Sequence, residues 1–109
     1  MDRIEYFGIE QKCFDNIAKL DHIIEKIKYY KKQLRYCIAL KDHKIKDDVT
    51  RCIYIANGIE NPIKYWNELW KKTEVETEEI MDFFKEIHPI EFKEEIKIAK
   101  NLYNKIVNF

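Results

Sequence analysis

The side chains best suited to chemistry are three histidines and three cysteines, and their spacing does not assemble a reactive centre. His22, His43 and His88 stand far apart. None belongs to an H-E-x-x-H, E-x-x-H or C-x-x-C pattern that would set two metal ligands on one helical face. His22 and Glu25 come nearest as an i, i+3 pair, but such a pair arises readily by chance in a chain with 13 glutamates. Cys13, Cys37 and Cys52 fall at apolar-patterned positions, whereas a thiol nucleophile needs a lowered pKa and access to substrate. Reduced, buried and inert cysteines are expected. Serine is absent and threonine occurs only at positions 50, 73 and 77, which removes Ser–His–Asp acyl chemistry. No glycine-rich phosphate loop is present. A catalytic carboxylate pair cannot be picked from 20 acids, because spacing along a chain does not fix separation across a bundle. No catalytic residue, metal ligand or cofactor is assigned, and the chain is read as a non-enzyme.

Charge patterning carries more information. From Lys26 to Lys46 eight basic residues face Asp42 alone, a local net of +7, and from Glu74 to Glu95 nine acids face Lys85 and Lys93, a local net of −7. At 100° per helical residue, Lys28, Lys32 and Arg35 form a basic stripe opposite Ile27 and Leu34, with Tyr29 and Tyr36 beside it. Glu79, Asp82 and Glu86 form an acidic stripe on the outer side of a helix whose inner face is Ile80, Phe84 and Ile87. Three readings fit these stripes. They are ordinary solvated helix faces; or they meet an oppositely charged protein or a second copy of the chain; or the basic stripe holds phosphates while Tyr29 or Tyr36 stacks on unpaired bases. Tyr65, Trp66 and Trp70 are the densest aromatic group. They suit core packing, with an interface anchor as the alternative.

The elements that must present these faces are helices. Gly8, Gly58, Pro62 and Pro89 are the only strong breakers. Ile9, Cys13, Ile17, Leu20, Ile24, Ile27, Leu34 and Ile38 recur at steps of three and four, with Lys31 in the one missing place and Ile23, Tyr30 and Cys37 widening the stripe. A helix from about Ile9 to Leu40 follows. Lys41 to Asp48 reads as a turn, with Asp47 or Asp48 capping a second helix through Val49, Cys52, Ile53, Ala56 and Ile59. Asn61 and Pro62 are suited to start a third, with Asn as cap and Pro as first helical residue, carrying Ile63, Trp66 and Trp70. Thr73 and Glu76 have capping-box spacing before a fourth that ends at His88–Pro89. A fifth runs from about Ile90 to Val107. No segment alternates with period two, so the expected fold is an all-α bundle of about five helices around a long N-terminal one.

At 109 residues with 46% hydrophobic content and 20 acids balancing 20 bases, one domain with one core is expected. Zero net charge argues against a dedicated DNA-coating protein. A charged start and the lack of a long apolar run point to neither export nor a membrane span, and the sparse, odd cysteine set fits the cytoplasm. Together these observations favour a small interaction protein that binds a macromolecule, most plausibly a protein, as an inhibitor, immunity-type protein or complex subunit, with a homodimer as one form. Weak RNA or single-stranded DNA binding through the basic stripe is the alternative.

Overall fold

The computed structural model describes residues 1–41 and 62–109. Three helices make up the described fold: α1 (Arg3–Lys41), α2 (Pro62–Glu86) and α3 (Lys93–Val107). No strand occurs among the described residues, so the all-α class holds. None of these helices is long and apolar enough to cross a membrane. The helix expected over Val49–Ile59, with its Asp47 or Asp48 cap, lies outside the described residues, as do Cys52, His43 and Asn61.

α1 begins six residues earlier than its apolar pattern indicates. Asp2 caps it: the Glu5 amide donates to Asp2 Oδ1 at 2.8 Å, satisfying one of the free amides of the first turn. Gly8 therefore sits inside the helix rather than before it. A helical glycine costs about 1 kcal/mol relative to alanine, and tertiary packing on both sides of it offsets that. On one side Tyr6 stacks on Phe92, with centroids 5.0 Å apart and ring planes 19° off parallel; on the other, Cys13 is fully buried.

α2 and α3 both pack along α1 and meet each other only lightly. The chain enters α2 beside the far end of α1, where Trp66 meets the rings of Tyr29 and Tyr30. It then returns antiparallel to α1 until His88–Pro89. The residue before a proline is disfavoured in the helical region, and α2 duly ends at Glu86. Phe92, fully buried, anchors the turn, and α3 then travels parallel to α1 until Phe109 reaches Lys31. Because α1 is about 58 Å long at 1.5 Å per residue, the described fold is a rod, 61 Å in its long dimension.

Three expectations need correction. Thr73 caps nothing. Its hydroxyl donates to the Leu69 carbonyl at 2.8 Å, and Thr77 repeats this onto Thr73 at 2.8 Å. Both threonines are buried inside one continuous α2, so two expected helices are one. Back-bonding to the carbonyl four residues earlier satisfies a buried hydroxyl without ending a helix. The last helix starts at Lys93, not Ile90, which is 81% exposed. Ile38 points outward at 47% exposure while its neighbour Cys37 takes the inward place. Three described helices therefore stand where four of the expected five fall.

The core divides in two. The larger cluster joins Cys13, Leu20, Ile23, Ile24 and Ile27 of α1 to Ile80, Met81 and Phe84 of α2, Phe92 of the turn, and Ala99 and Ile106 of α3. A smaller one holds Leu34, Cys37 and Trp66. Trp70 packs against both. The inward stripe expected along α1 is thus the observed one over most of its length.

Candidate functional site: two charged faces and a cleft

The basic stripe lies on the outer side of α1. Lys28, Lys32 and Arg35 are exposed; Lys28 Nζ approaches Glu25 Oε1 at 3.4 Å, an exposed i, i+3 pair of small energetic weight. Glu25 thus pairs with Lys28 rather than with His22. Tyr29 is 52% exposed, but its ring is already held edge-on against Trp66 at 5.6 Å. Tyr36 is half-buried. The aromatic flank of this stripe is consequently part of the helix packing more than a free stacking platform.

Of the aromatic group, Trp66 is buried at the centre, ringed by Tyr29, Tyr30 and Tyr65. Its indole Nε1 is buried and unpaired among the described residues. Tyr65 is 41% exposed and Trp70 half-buried. Trp66 therefore serves packing; only Tyr65 and Trp70 present accessible surface.

Glu79, Asp82 and Glu86 are all exposed on α2, with Lys85 Nζ 3.7 Å from Asp82 Oδ1. Two of the three belong to a larger feature. α2 and α3 each pack extensively on α1 but touch one another little. Between their outer sides lies a cleft of about 550 Å³. Its apolar lining comes from Trp70, Val75, Ile106, Val107 and Phe109, and Glu74, Glu78, Glu79 and Asp82 supply four carboxylates. Val75 and Val107 are 59% and 55% exposed, leaving apolar surface open to an occupant. The Tyr103 hydroxyl donates to Glu78 Oε1 at 2.8 Å, spanning the two helices. Accepting that bond, the carboxylate favours the protonated phenol and raises the Tyr103 pKa.

Sequence reasoning found the acidic stripe but missed Glu74, Glu78 and the α3 wall. Val75 was the available signal: an apolar residue one and two turns from Glu79 and Asp82, on the face that should be wholly solvated.

The thiols follow the sequence expectation where they are described. Cys13 and Cys37 are buried. Burial foremost, then the charges of Glu95 and Glu10, pushes the Cys13 pKa up to about 11, the opposite of an activated nucleophile. His22 and His88 are exposed, and His88 Nδ1 accepts the Glu91 amide at 3.3 Å, closing the turn before α3. Among the described residues no three His, Cys, Asp or Glu side chains converge as a metal site. Comparison with protein families, with curated protein sequences and with solved structures finds no match to this chain.

Proposed function

We propose that this chain is a non-enzymatic interaction protein whose cleft between α2 and α3 receives a cationic, amphipathic segment of a protein partner. The observation that carries this is the composition of the cleft: apolar side chains left partly exposed beside four carboxylates. A segment with leucine-like side chains on one side and Lys or Arg on its edges matches both parts. The apolar contacts supply affinity and the charges supply orientation and on-rate. Inhibitor, immunity-type and complex-subunit roles are all forms of such binding. The raised Cys13 pKa speaks against a thiolate nucleophile at that position.

Trp70 lines the cleft, so its fluorescence reports occupancy. Titration with a helical Lys/Leu peptide should change that emission, weaken as salt rises, and weaken at least tenfold in the Glu78→Lys/Asp82→Lys variant. An acidic peptide of the same length should give no change. Affinity purification from the native host with the same variant as control then identifies the partner. Equal binding of both peptides by wild type and variant would refute the proposal. Recovery of nucleic acid, lost on Lys28, Lys32 and Arg35 reversal and unaffected by Glu78 and Asp82, would establish the alternative. What favours that alternative is the basic stripe itself, where Lys32 and Arg35 are exposed.

A further inference from the structure

A second seam runs along α1, on the side away from the core. Ile4, Phe7, Gln11, Phe14 and Ala18 are all exposed and recur at alternating steps of three and four, falling within about 80° of one another on the helix. Ile4 is 85% exposed, Phe7 57% and Phe14 50%. In a chain of which 37% is charged, this line holds no charge at all. Its spacing is that of the a and d positions of a coiled coil, with Ile4, Gln11 and Ala18 at a and Phe7 and Phe14 at d. The inner seam of the same helix, through Cys13, Leu20, Ile24 and Ile27, is already filled by α2 and α3. Beside the outer one, a Cβ placed on Gly8 would meet nothing within 4 Å, so that flank is open to an approaching helix.

We propose that this seam pairs antiparallel with the same seam of a second copy. In an antiparallel pair an a residue faces a d residue. The register centred near position 9 sets Ile4 opposite Phe14 and Phe7 opposite Gln11, and the two-fold axis repeats both contacts. Ile4 and Phe14 bury against each other across the pair, Phe7 packs on the aliphatic stem of Gln11, and Ala18 lies beyond the paired stretch. Gln11 is the single polar residue of the seam; facing Phe7 it needs no polar partner across the pair, because its amide already donates to Asp15 Oδ1 at 3.0 Å within its own helix. Charge decides the direction. Further along, the outer side of α1 carries Lys28, Lys32 and Arg35, which a parallel pair would set against their own copies over the remaining length of the rod. The antiparallel register sends these stripes to opposite ends. The pairing removes on the order of 1,000 Å² from water in total, the low end for a specific interface, so the dimer depends on concentration. The surface is separate from the cleft, and neither proposal depends on the other.

Sedimentation of the full chain from the low-micromolar to the near-millimolar range should show monomer passing to dimer. Phe7→Glu and Phe14→Glu should each weaken association at least tenfold with helical content and melting retained, since both side chains are half exposed. Direction is read with nitroxide labels at His22→Cys or Lys32→Cys in a background lacking the native cysteines. The antiparallel register separates the two labels of a dimer by about 40 Å for position 22 and about 70 Å for position 32 along the axis, whereas a parallel pair makes the two separations alike. A monomer throughout, a dimer indifferent to both substitutions, or equal separations at the two sites would overturn the proposal.

Discussion

Phe92→Ala tests the packing argument most sharply, because one side chain holds the turn between α2 and α3. Phe92 is fully buried, belongs to the larger core cluster and stacks on Tyr6 at 5.0 Å. Truncating a fully buried phenylalanine costs about 3 to 5 kcal/mol, of which the ring pair contributes about 0.5 to 1.5. For a domain near 100 residues each kcal/mol lowers Tm by about 4 to 8 °C, so a fall of at least about 12 °C is expected. Urea unfolding should show the midpoint move with little change in slope. Phe92→Leu keeps most of the volume and loses the stack, and should cost about 1.5 kcal/mol or less. Ile90→Ala, two positions earlier at an 81% exposed side chain, should stay within about 0.5 kcal/mol. A loss below about 1 kcal/mol for Phe92→Ala, or an equal one for Ile90→Ala, would mean that the turn is anchored elsewhere.

Other variants probe separate elements. Thr73→Ala should leave α2 continuous, with amide exchange protection undiminished across Leu69 to Thr77; a new fast-exchanging break there would restore a helix start at Thr73. Lys31→Met removes the ammonium that bonds the Phe109 main-chain oxygen at 2.9 Å and should cost about 1 to 3 kcal/mol, with exchange rising first in the last turn of α3; uniform change along the chain would contradict that contact. Cys13 links stability to alkaline pH. Its raised folded pKa of about 11 gives stability that is complete below the unfolded thiol pKa near 9 and lost as pH climbs toward 11, with a slope of up to about 1.4 kcal/mol per pH unit. Cys13→Ala should flatten the wild-type curve over that window, and parallel curves would refute the assignment.

Much of the fold was legible because burial on one helix side imposes a period that survives in sequence. Cys13, Leu20, Ile24, Ile27 and Leu34 face inward as their spacing requires. The errors fall where one residue type has two uses. Threonine can cap a helix or back-bond within it, and only burial selects the second for Thr73 and Thr77. Glycine can break a helix or sit on an uncrowded face, and Gly8 does the latter. Lys31 occupied a core position in the heptad and is half-buried, its long stem lying inward while the ammonium reaches past it to Phe109. The charged stripes were legible as faces. The assembly of Glu79 and Asp82 with Tyr103, Ile106 and Val107 into a cleft was not, since it depends on how α2 and α3 are set against each other by their separate packing on α1.

That cleft has one wall on a helix that cannot stand alone. α3 has 15 residues, about the length at which isolated helices are marginal in water, so its helicity comes from docking Phe92, Ala99 and Ile106 onto α1. Whatever binds between α2 and α3 therefore binds the docked form and not the detached one, and its free energy adds to that of docking. Ligand concentration and helix content become linked variables: at a hundred times Kd an occupant stabilises α3 by about 2.7 kcal/mol, and loosening α3 at Phe92 lowers affinity by the fraction of molecules left undocked. If the cleft receives the segment proposed for it, the turn at His88–Pro89 governs binding as much as the carboxylates that line the groove.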